Sequence, residues 1–190
     1  VDSGNYHYVT RIFTDQIHSP FSLIVFDHHT DMQQPLMEGM MSCGDWAGMV
    51  LDQNPTLQQF ILIGPAEDDI RQIRTKHLAK LITFSAEEIR KGEGEERLKQ
   101  LQGGVPLYIS IDKDVLSEQY SETNWNQGEL TLGILEHMLQ YFLERAPVYG
   151  IDIFGECSTA IALPEYFQAE GVNGKTNVEL FRFLRSYCCS

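Results

Sequence analysis

Residues 107–114 read LYISIDKD, an apolar run that ends in two aspartates two positions apart. The run from Leu107 to Ile111 is short and almost continuously apolar, as expected for a strand that is covered on both faces. Four further runs have the same character: Leu23 to Phe26, Phe60 to Ile63, Leu81 to Phe84 and Val148 to Ile153. Longer amphipathic stretches separate these runs, and this alternation predicts βα units around a parallel sheet, an α/β fold.

The amphipathic stretches carry helix signals. Apolar residues at helical spacing predict helices over 68–81, 131–144 and 177–187. Ser85 and Glu88 form a capping-box pattern that opens a further helix. Ligands bind at the carboxyl ends of the strands in open α/β sheets, so the residues that follow each strand are the first candidates for function.

The composition sets limits on size and partners. The chain has 190 residues, of which 43% are hydrophobic and 22% charged, values that favour a single globular domain over residues 1–190. Fourteen basic against 27 acidic residues give a net charge of -13, which argues against nucleic-acid binding because that requires a basic face. The longest apolar run, Phe60 to Ile63, is too short to span a membrane.

Four cysteines, at positions 43, 157, 188 and 189, form no CxxC pair. Adjacent cysteines such as Cys188 and Cys189 rarely bridge each other, so free thiols in a reducing cytoplasm are the expected state. No charged-then-apolar leader is visible, although a start at Val1 leaves room for an upstream segment that was trimmed. These features predict a cytoplasmic location.

A candidate metal site follows the strand Leu23 to Phe26. The next residues, DHHTD at 27–31, place Asp27, His29 and Asp31 on one face if the extended geometry persists. Two carboxylates and an imidazole at the carboxyl end of a strand suit a divalent metal. The alternative is a polar loop that happens to contain these residue types.

A second candidate follows the run quoted first, where Asp112 and Asp114 flank Lys113. Like charges this close repel unless a cation lies between them, one of them is protonated, or solvent screens them in an open loop. Both sets follow strands and can meet at one sheet edge, where they offer more ligands than one tetrahedral zinc needs. They suit two ions with shared carboxylates, manganese or a similar metal, and His7 is a candidate sixth ligand.

The order of these motifs resembles the ureohydrolases, the family of arginase, agmatinase and formiminoglutamase. Gly4-x-x-His7 comes first, then Asp27-x-His29-x-Asp31, then Ser110-x-Asp112-x-Asp114. Gly128-Glu129-Leu130-Thr131 is similar to the family's glycine, leucine and threonine before its next helix, and the likeness extends from His7 to about Glu156. The resemblance implies a three-layer α/β/α sandwich with a mainly parallel sheet.

The resemblance also implies the chemistry. His7, Asp27, Asp31 and Asp112 would hold one manganese ion, and Asp27, His29, Asp112 and Asp114 the other. A hydroxide that bridges the two ions would attack the planar carbon of a linear amidine or guanidine and break a C–N bond, while Asp31 orients it and moves its proton. The expected partner is a small cationic or amidine substrate. The family resemblance is also compatible with a homo-oligomer.

Two departures from the family pattern concern the first motif. Tyr6 stands where an Asp usually precedes the first His, so this support for His7 is absent or rebuilt. Family members also carry a substantial segment, with the first strand of their sheet, before that motif. Since His7 stands almost at the start, we expect a chain that lacks the family's N-terminal segment.

Two further departures concern candidate catalytic residues. Cys43 replaces the His of a His-Gly pair that shuttles protons in arginases and agmatinases, and formiminoglutamases also lack that His. A formiminoglutamase-like or agmatinase-like substrate is therefore favoured over arginine. The family's late glutamate, which contacts substrate, matches Glu156 only if Gly155 is an insertion. Cys43 and Glu156 thus join Asp31 as candidate catalytic residues.

Other interpretations stay open on the sequence alone. The departures at Tyr6 and Cys43 favour a degenerate family member that binds metal or a small ligand without turnover, whereas six intact ligand positions favour an active enzyme. A metal-dependent deacetylase has a related fold, but a single catalytic metal and a different ligand set. Cys43 could also pack in its loop beside Trp46, away from the cavity.

Overall fold

Five parallel strands form a single sheet in the order β3-β2-β1-β4-β5. The structure is a computed structural model that describes residues 1–35, 37, 39–99, 101, 104–158 and 160–188. The strands are Phe21–Phe26 (β1), Leu57–Ile63 (β2), Leu81–Phe84 (β3), Leu107–Asp112 (β4) and Val148–Phe154 (β5). All five predicted strands are therefore confirmed, and four of them are extended at one end.

Helices cover both faces of the sheet. They are Val9–Thr14 (α1), Trp46–Gln53 (α2), Glu67–Ile70 (α3), Ala86–Arg90 (α4), Gly94–Leu98 (α5), Leu132–Leu143 (α6) and Leu163–Cys188 (α7), with 3-10 turns at Gly4–Tyr6, Leu78–Lys80 and Lys113–Val115. Side chains of β1 alternate between two apolar clusters: Ile24 and Phe26 pack in the cluster that contains α6, and Leu23 and Val25 in the cluster that contains α2. The three-layer α/β/α arrangement is confirmed.

Two N-caps are present as hydrogen bonds, one at Ser85 of the predicted capping box and one at Thr131, the residue before α6. The Ser85 hydroxyl accepts from the Glu88 amide at 3.1 Å, and the Thr131 hydroxyl accepts from the Ile134 amide at 3.3 Å. Each satisfies one of the amide groups that the first turn of a helix leaves without a partner. The glycine pair at 103–104 predicts the end of the helical segment before β4, and Gly103 lies outside the described residues.

The prediction of a helix over 68–81 is wrong. Only α3 and the 3-10 turn at Leu78–Lys80 form there, and Leu81 already begins β3. The Lys76 amide and the Thr75 hydroxyl both donate to the Asp52 carboxylate of α2. These tertiary hydrogen bonds replace the helical ladder that the apolar spacing alone predicts.

The last helix begins well before the predicted residue 177. Gly171 and Gly174 disfavour a helix locally, but no atom lies within 4 Å of the place where a side chain would begin at either position. On the opposite side of α7, Ala169 and Asn173 are buried against the rest of the chain. This packing compensates for the low helix propensity of the glycines. None of the helices in the described parts of the chain could cross a membrane.

The sheet order places a crevice between β1 and β4. From β1 the chain builds β2 and β3 on one side, and then β4 and β5 on the other. Such a reversal of strand order is the switch point where open α/β sheets bind ligands. Phe26 pairs with Ile111, so the residues that follow the two strands, Asp27 and Asp112, start side by side.

Candidate metal centre

The segment after β1 reaches the crevice through a turn. Strand geometry ends at Phe26, so the expectation that it persists to Asp31 is wrong. The Asp27 carboxylate accepts the His29 amide at 2.6 Å and bends the chain back on itself. Asp31 takes a φ of 48°, uncommon for a residue with a side chain, and its carbonyl accepts amides from Ala47 and Gly48. The first turn of α2 thus holds Asp31 in place.

The segment after β4 is a 3-10 turn that points two carboxylates at the crevice. The Asp114 amide donates to the Asp112 carboxylate at 3.0 Å, and the His28 amide donates to the Asp114 carboxylate at 3.0 Å. Gly155, with a φ of 92°, lies against this turn, where a β-carbon would stand 2.7 Å from an oxygen of Asp112. A larger residue at position 155 would displace the turn.

His7 arrives from the amino-terminal segment. Residues 2 and 3 continue beyond β5, with backbone hydrogen bonds from Asp2 to Ile153 and from Glu156 to Asp2. The 3-10 turn at Gly4–Tyr6 then turns His7 into the crevice. A β-carbon on Gly4 would stand 3.0 Å from an oxygen of Asp112, so the glycine permits this close approach.

The two ring nitrogens of His7 have different surroundings. Nε2 lies 2.8 Å from the Ser110 hydroxyl. Nδ1 is buried without a well-formed hydrogen bond, yet it faces carboxylate oxygens of Asp27, Asp31 and Asp112 at 3.1, 3.3 and 3.5 Å. When Nε2 donates to Ser110, Nδ1 presents a lone pair to the same space as three carboxylates. That arrangement suits a cation at this point.

Two groups of potential ligands share Asp27. One ligand atom each from His7, Asp27 and Asp112 lie within 4.8 Å of one another, and so do atoms from Asp27, His29 and Asp114. Asp31 belongs to neither group by this distance, but its carboxylate lies 3.3 Å from His7 and accepts the Trp46 indole N–H at 2.7 Å. The six predicted ligands therefore come together, with Asp27 between the two groups.

The charge state of the metal-free cluster shows how strongly it attracts positive charge. Burial lowers the pKa of His7, but the carboxylates of Asp27 and Asp31 outweigh it and the net pKa shift is upward. Burial also lowers the pKa of His29, yet Asp114 and Asp27 bring it to about 11.

The pKa values of two of the carboxylates are raised as well, but here burial itself is the largest cause. Burial, reinforced by Asp114, raises the pKa of Asp112, and burial with Asp27 raises that of Asp114 to about 6. The cluster thus holds protons more tightly than the same side chains would in water. Divalent cations would replace those protons with more charge per site, so the donor set fits two hard ions.

A cavity of about 220 Å³ opens above this cluster. Its lining comprises Gly4, Asp27, His29, Asp31, Gln33, Ser42, Cys43, Gly44, Asp112, Asp114 and Trp125. Cys43 lies in a loop closed by Ser42, whose amide and hydroxyl both donate to the Asp45 carboxylate, at 2.9 and 2.7 Å. Without metal, burial and then Asp31 raise the pKa of the Cys43 thiol. Its side chain borders the cavity.

Glu156 does not line this cavity. Its carboxylate accepts the ammonium group of Lys113, which is fully buried, and the Asn177 amide of α7 at 2.7 Å. Lys113 also donates to the Asn177 side-chain oxygen at 3.0 Å. Asp112 ends β4 and a 3-10 turn follows, in which Asp114 faces the crevice with Asp112 while Lys113 faces the opposite side. Glu156 lies on the same side as Lys113, with which it forms the ion pair.

Two aromatic residues belong to the site although the sequence did not predict them as site residues. Trp46 is fully buried and orients Asp31 through its indole N–H. Trp125 is 42% exposed and forms part of the cavity wall. The available signal for Trp125 was an aromatic residue in the polar stretch 117–128, in which Tyr120 packs against the apolar core and Trp125 is exposed.

Comparison with known proteins places this geometry in context. A curated but uncharacterised protein of Thermotoga maritima is 28% identical over 160 residues, which cover 80% of this chain and 55% of that protein. The agmatine ureohydrolase of Thermoplasma volcanium has a similar fold, with a TM-score of 0.73 at 15% identity over 95% of this chain and 59% of its own.

Two further solved structures show the same fold. They are formimidoylglutamase from Bacillus subtilis (TM-score 0.67, 16% identity, 98% of this chain and 59% of that one) and Helicobacter pylori arginase (0.68, 15%, 97% and 70%). The chain spans little more than half the length of the Thermotoga, Thermoplasma and Bacillus proteins.

The family assignment rests on sequence as well as on fold. A sequence model of the Arginase family matches residues 7–157, a stretch that begins at His7 and contains both carboxylate motifs. That match, over most of the chain, shows that the protein belongs to the arginase family.

Proposed function

We propose that the chain acts as a metal-dependent hydrolase that cleaves a C–N bond, other than a peptide bond, in a linear amidine or guanidine. The observation that carries this proposal is the pair of ligand groups that share Asp27 at the base of the cavity. Two divalent ions, manganese preferred, would be held by His7, Asp27 and Asp112 with support from Asp31, and by Asp27, His29 and Asp114. When bound, such ions lower the pKa of water and polarise the substrate.

The residues around the ions have separate tasks in this proposal. Asp31 accepts the Trp46 N–H with one oxygen, so its carboxylate is fixed beside the cavity and can orient a water and accept its proton. In the overall reaction, water adds to the planar carbon, the C–N bond breaks, and the departing amine gains a proton. Ser110 keeps His7 in the orientation that points Nδ1 at the carboxylates.

The substrate preference follows from the cavity loop. Cys43 occupies the place where a proton-shuttling histidine would stand, and it borders the cavity. A thiol with a reference pKa of about 8.5, raised further by burial, is a poor proton shuttle at neutral pH. This favours a formimino substrate over arginine, and an agmatine-type substrate stays in the proposal because an agmatine ureohydrolase shares this fold.

A substrate screen tests the proposal. Manganese-loaded protein is incubated with arginine, agmatine, guanidinobutyrate, formiminoglutamate and guanidine, and urea, formamide and ammonia are measured. We expect one of the amidines or guanidines other than arginine to turn over, and Asp31→Asn to abolish this turnover while retaining bound metal. Absence of all three products with two metals bound would overturn the proposal.

A degenerate binding protein is the second candidate. It is favoured by the Lys113–Glu156 ion pair, which directs the expected substrate-contacting glutamate away from the cavity. The two candidates differ in the same screen: a binding protein would take up metal and ligand, measured by calorimetry, without forming product.

A further inference from the structure

We propose that Trp125 is a specificity-determining residue, an aromatic wall that selects substrates whose tail is cationic or neutral and excludes tails with a carboxylate. The inference rests on the proposed function and selects between its two substrate types: it favours the agmatine type, whose tail carries no carboxylate, over formiminoglutamate, whose tail does. Two observations support the inference: the contacts of the indole ring, and the charges of the residues that line the cavity.

The indole of Trp125 is held in place before any ligand arrives. Its N–H donates to the Asn5 side-chain oxygen at 3.1 Å, and the Asn124 amide donates to the same oxygen at 3.3 Å. The ring lies edge-on to the His29 ring, with 6.2 Å between centroids. Gly4 leaves room for it, since a β-carbon there would stand 3.2 Å from the indole.

The loop that carries Trp125 is anchored by α7. The Asn173 side chain accepts the Glu122 amide at 3.0 Å and donates to the Glu122 carbonyl at 2.8 Å. Asn173 is buried, so these two hydrogen bonds are shielded from water. The wall is therefore preorganised, which reduces the entropy lost when a ligand binds.

The charges of the lining define what can lie beside that wall. Four carboxylates and His29 line the cavity, and none of its described lining residues is Lys or Arg. Lys113 is turned away toward Glu156. Apart from the proposed metal ions at the base of the cavity, a substrate carboxylate would meet no cationic partner among these residues, whereas an ammonium or guanidinium group can lie over an indole face.

Arg74 is the basic residue that a longer tail would meet. It lines a neighbouring cavity of about 400 Å³ that shares His29 and Gln33 with the metal cavity. Its guanidinium donates to the carbonyl oxygens of Arg71 and Ile73, both at 3.0 Å, and Asp69 lines the same cavity. The acid and the backbone contacts both reduce its value as a carboxylate receptor.

A ligand series that differs only in tail charge tests the proposal. Manganese-loaded protein is titrated by calorimetry with agmatine, butylguanidine and 4-guanidinobutyrate, which share a guanidinium and an alkyl chain, and turnover is measured in parallel. We expect agmatine and butylguanidine to bind more tightly than the carboxylate. Trp125→Leu should weaken agmatine binding roughly twofold to thirtyfold and act through KM, the range of a cation over an indole.

Two variants serve as controls. Trp125→Phe keeps an aromatic face and should retain most of the affinity for agmatine. Tyr149→Leu removes a comparably exposed aromatic ring from β5 and should change nothing. If 4-guanidinobutyrate binds more tightly than agmatine, the proposal is overturned. If Arg74→Gln then abolishes that binding, Arg74 is the residue that holds the carboxylate.

The outcomes separate this inference from the proposed function. Binding of agmatine that depends on Trp125, without turnover, would support the aromatic wall and contradict the hydrolase. Turnover that Trp125→Leu leaves unchanged would support the hydrolase and overturn the wall. Absence of binding by all three ligands would contradict both.

Discussion

Two clusters of buried charge lie on opposite sides of the end of β4. On one side, Asp112 and Asp114 meet the acids that follow β1, and among the residues that the structure describes their basic partners are the imidazoles of His7 and His29. On the other side, Lys113 supplies a permanent positive charge to Glu156. Three consecutive residues thus contribute to two different clusters, one with an excess of acids and one in which a base and an acid balance each other.

The difference separates a structural charge cluster from a functional one. Glu156 has its counter-charge within the chain, and Asn177 satisfies both partners, so the pair links α7 to the turn after β4. The acids of the crevice outnumber their imidazole partners, and the pKa of each histidine there is raised because protons substitute for the missing positive charge. A cluster of that kind attracts cations from solution.

Metal loading should produce the largest effect on the crevice cluster. A ligand that binds only the native state stabilises it by about 2.7 kcal/mol at a hundred times its Kd, and two ions would contribute separately. We expect manganese to raise the free energy of unfolding and the melting temperature, and a chelator to reverse both. A melting temperature that neither treatment changes would contradict a preformed site for two ions.

Lys113→Met should break the opposite cluster alone. Removal of one partner of a buried ion pair costs roughly 3–5 kcal/mol, and the partial exposure of Glu156 places this case at the lower end. Urea unfolding should show the loss, and the double variant Lys113→Met, Glu156→Gln should recover part of it. The folded variant should still take up manganese as the parent does; a parallel loss of metal would show that the two clusters are not independent.

Ser110→Ala tests the support of His7. Loss of a residue that orients a metal ligand lowers metal affinity by about 10–100-fold. We expect weaker manganese binding in a chelator competition assay, with most of the effect at the ion that His7 would hold. Ser22→Ala removes a buried serine from the neighbouring strand β1 and is the matched control. Equal effects of the two variants would argue against the role of Ser110.

The smallest predicted effect concerns two half-buried thiols, one near each cluster. Burial raises the pKa of Cys43, with Asp31 adding to it, and burial with Glu122 raises that of Cys157. Manganese would offset the charge of Asp31, so the modification rate of Cys43 should rise several-fold and fall again when a substrate analogue is added. The Cys157 rate should not respond. If neither manganese nor the substrate analogue changes the modification rate of Cys43, its thiol lies outside the site.

The sheet was predictable because its signals are local. Continuous apolar runs such as Leu107 to Ile111 identify buried strands, and the acids that follow them mark the carboxyl edge. The helix over 68–81 was wrong because Asp52, distant in sequence, takes the hydrogen bonds of Thr75 and Lys76. Tertiary competition of this kind leaves no trace in spacing.

The convergence of the candidate ligands was predictable, and their surroundings less so. The spacing of Asp27, His29 and Asp31 predicted that these side chains lie close together, and they do, but a turn and α2, rather than a strand, bring Asp31 to the crevice. Trp125 could not be placed, because its loop is held by Asn173 of α7, about fifty residues further along the chain. Long-range side-chain contacts decide such positions.

Metal analysis of the double variant Asp27→Ala, Asp112→Ala tests the central claim most directly. After manganese loading and removal of free ions, the parent chain should approach two ions per chain. The double variant should retain almost none, because Asp27 belongs to both ligand groups and Asp112 faces His7. His7→Ala should lose mainly one ion. Full occupancy in the double variant would contradict the proposed metal centre.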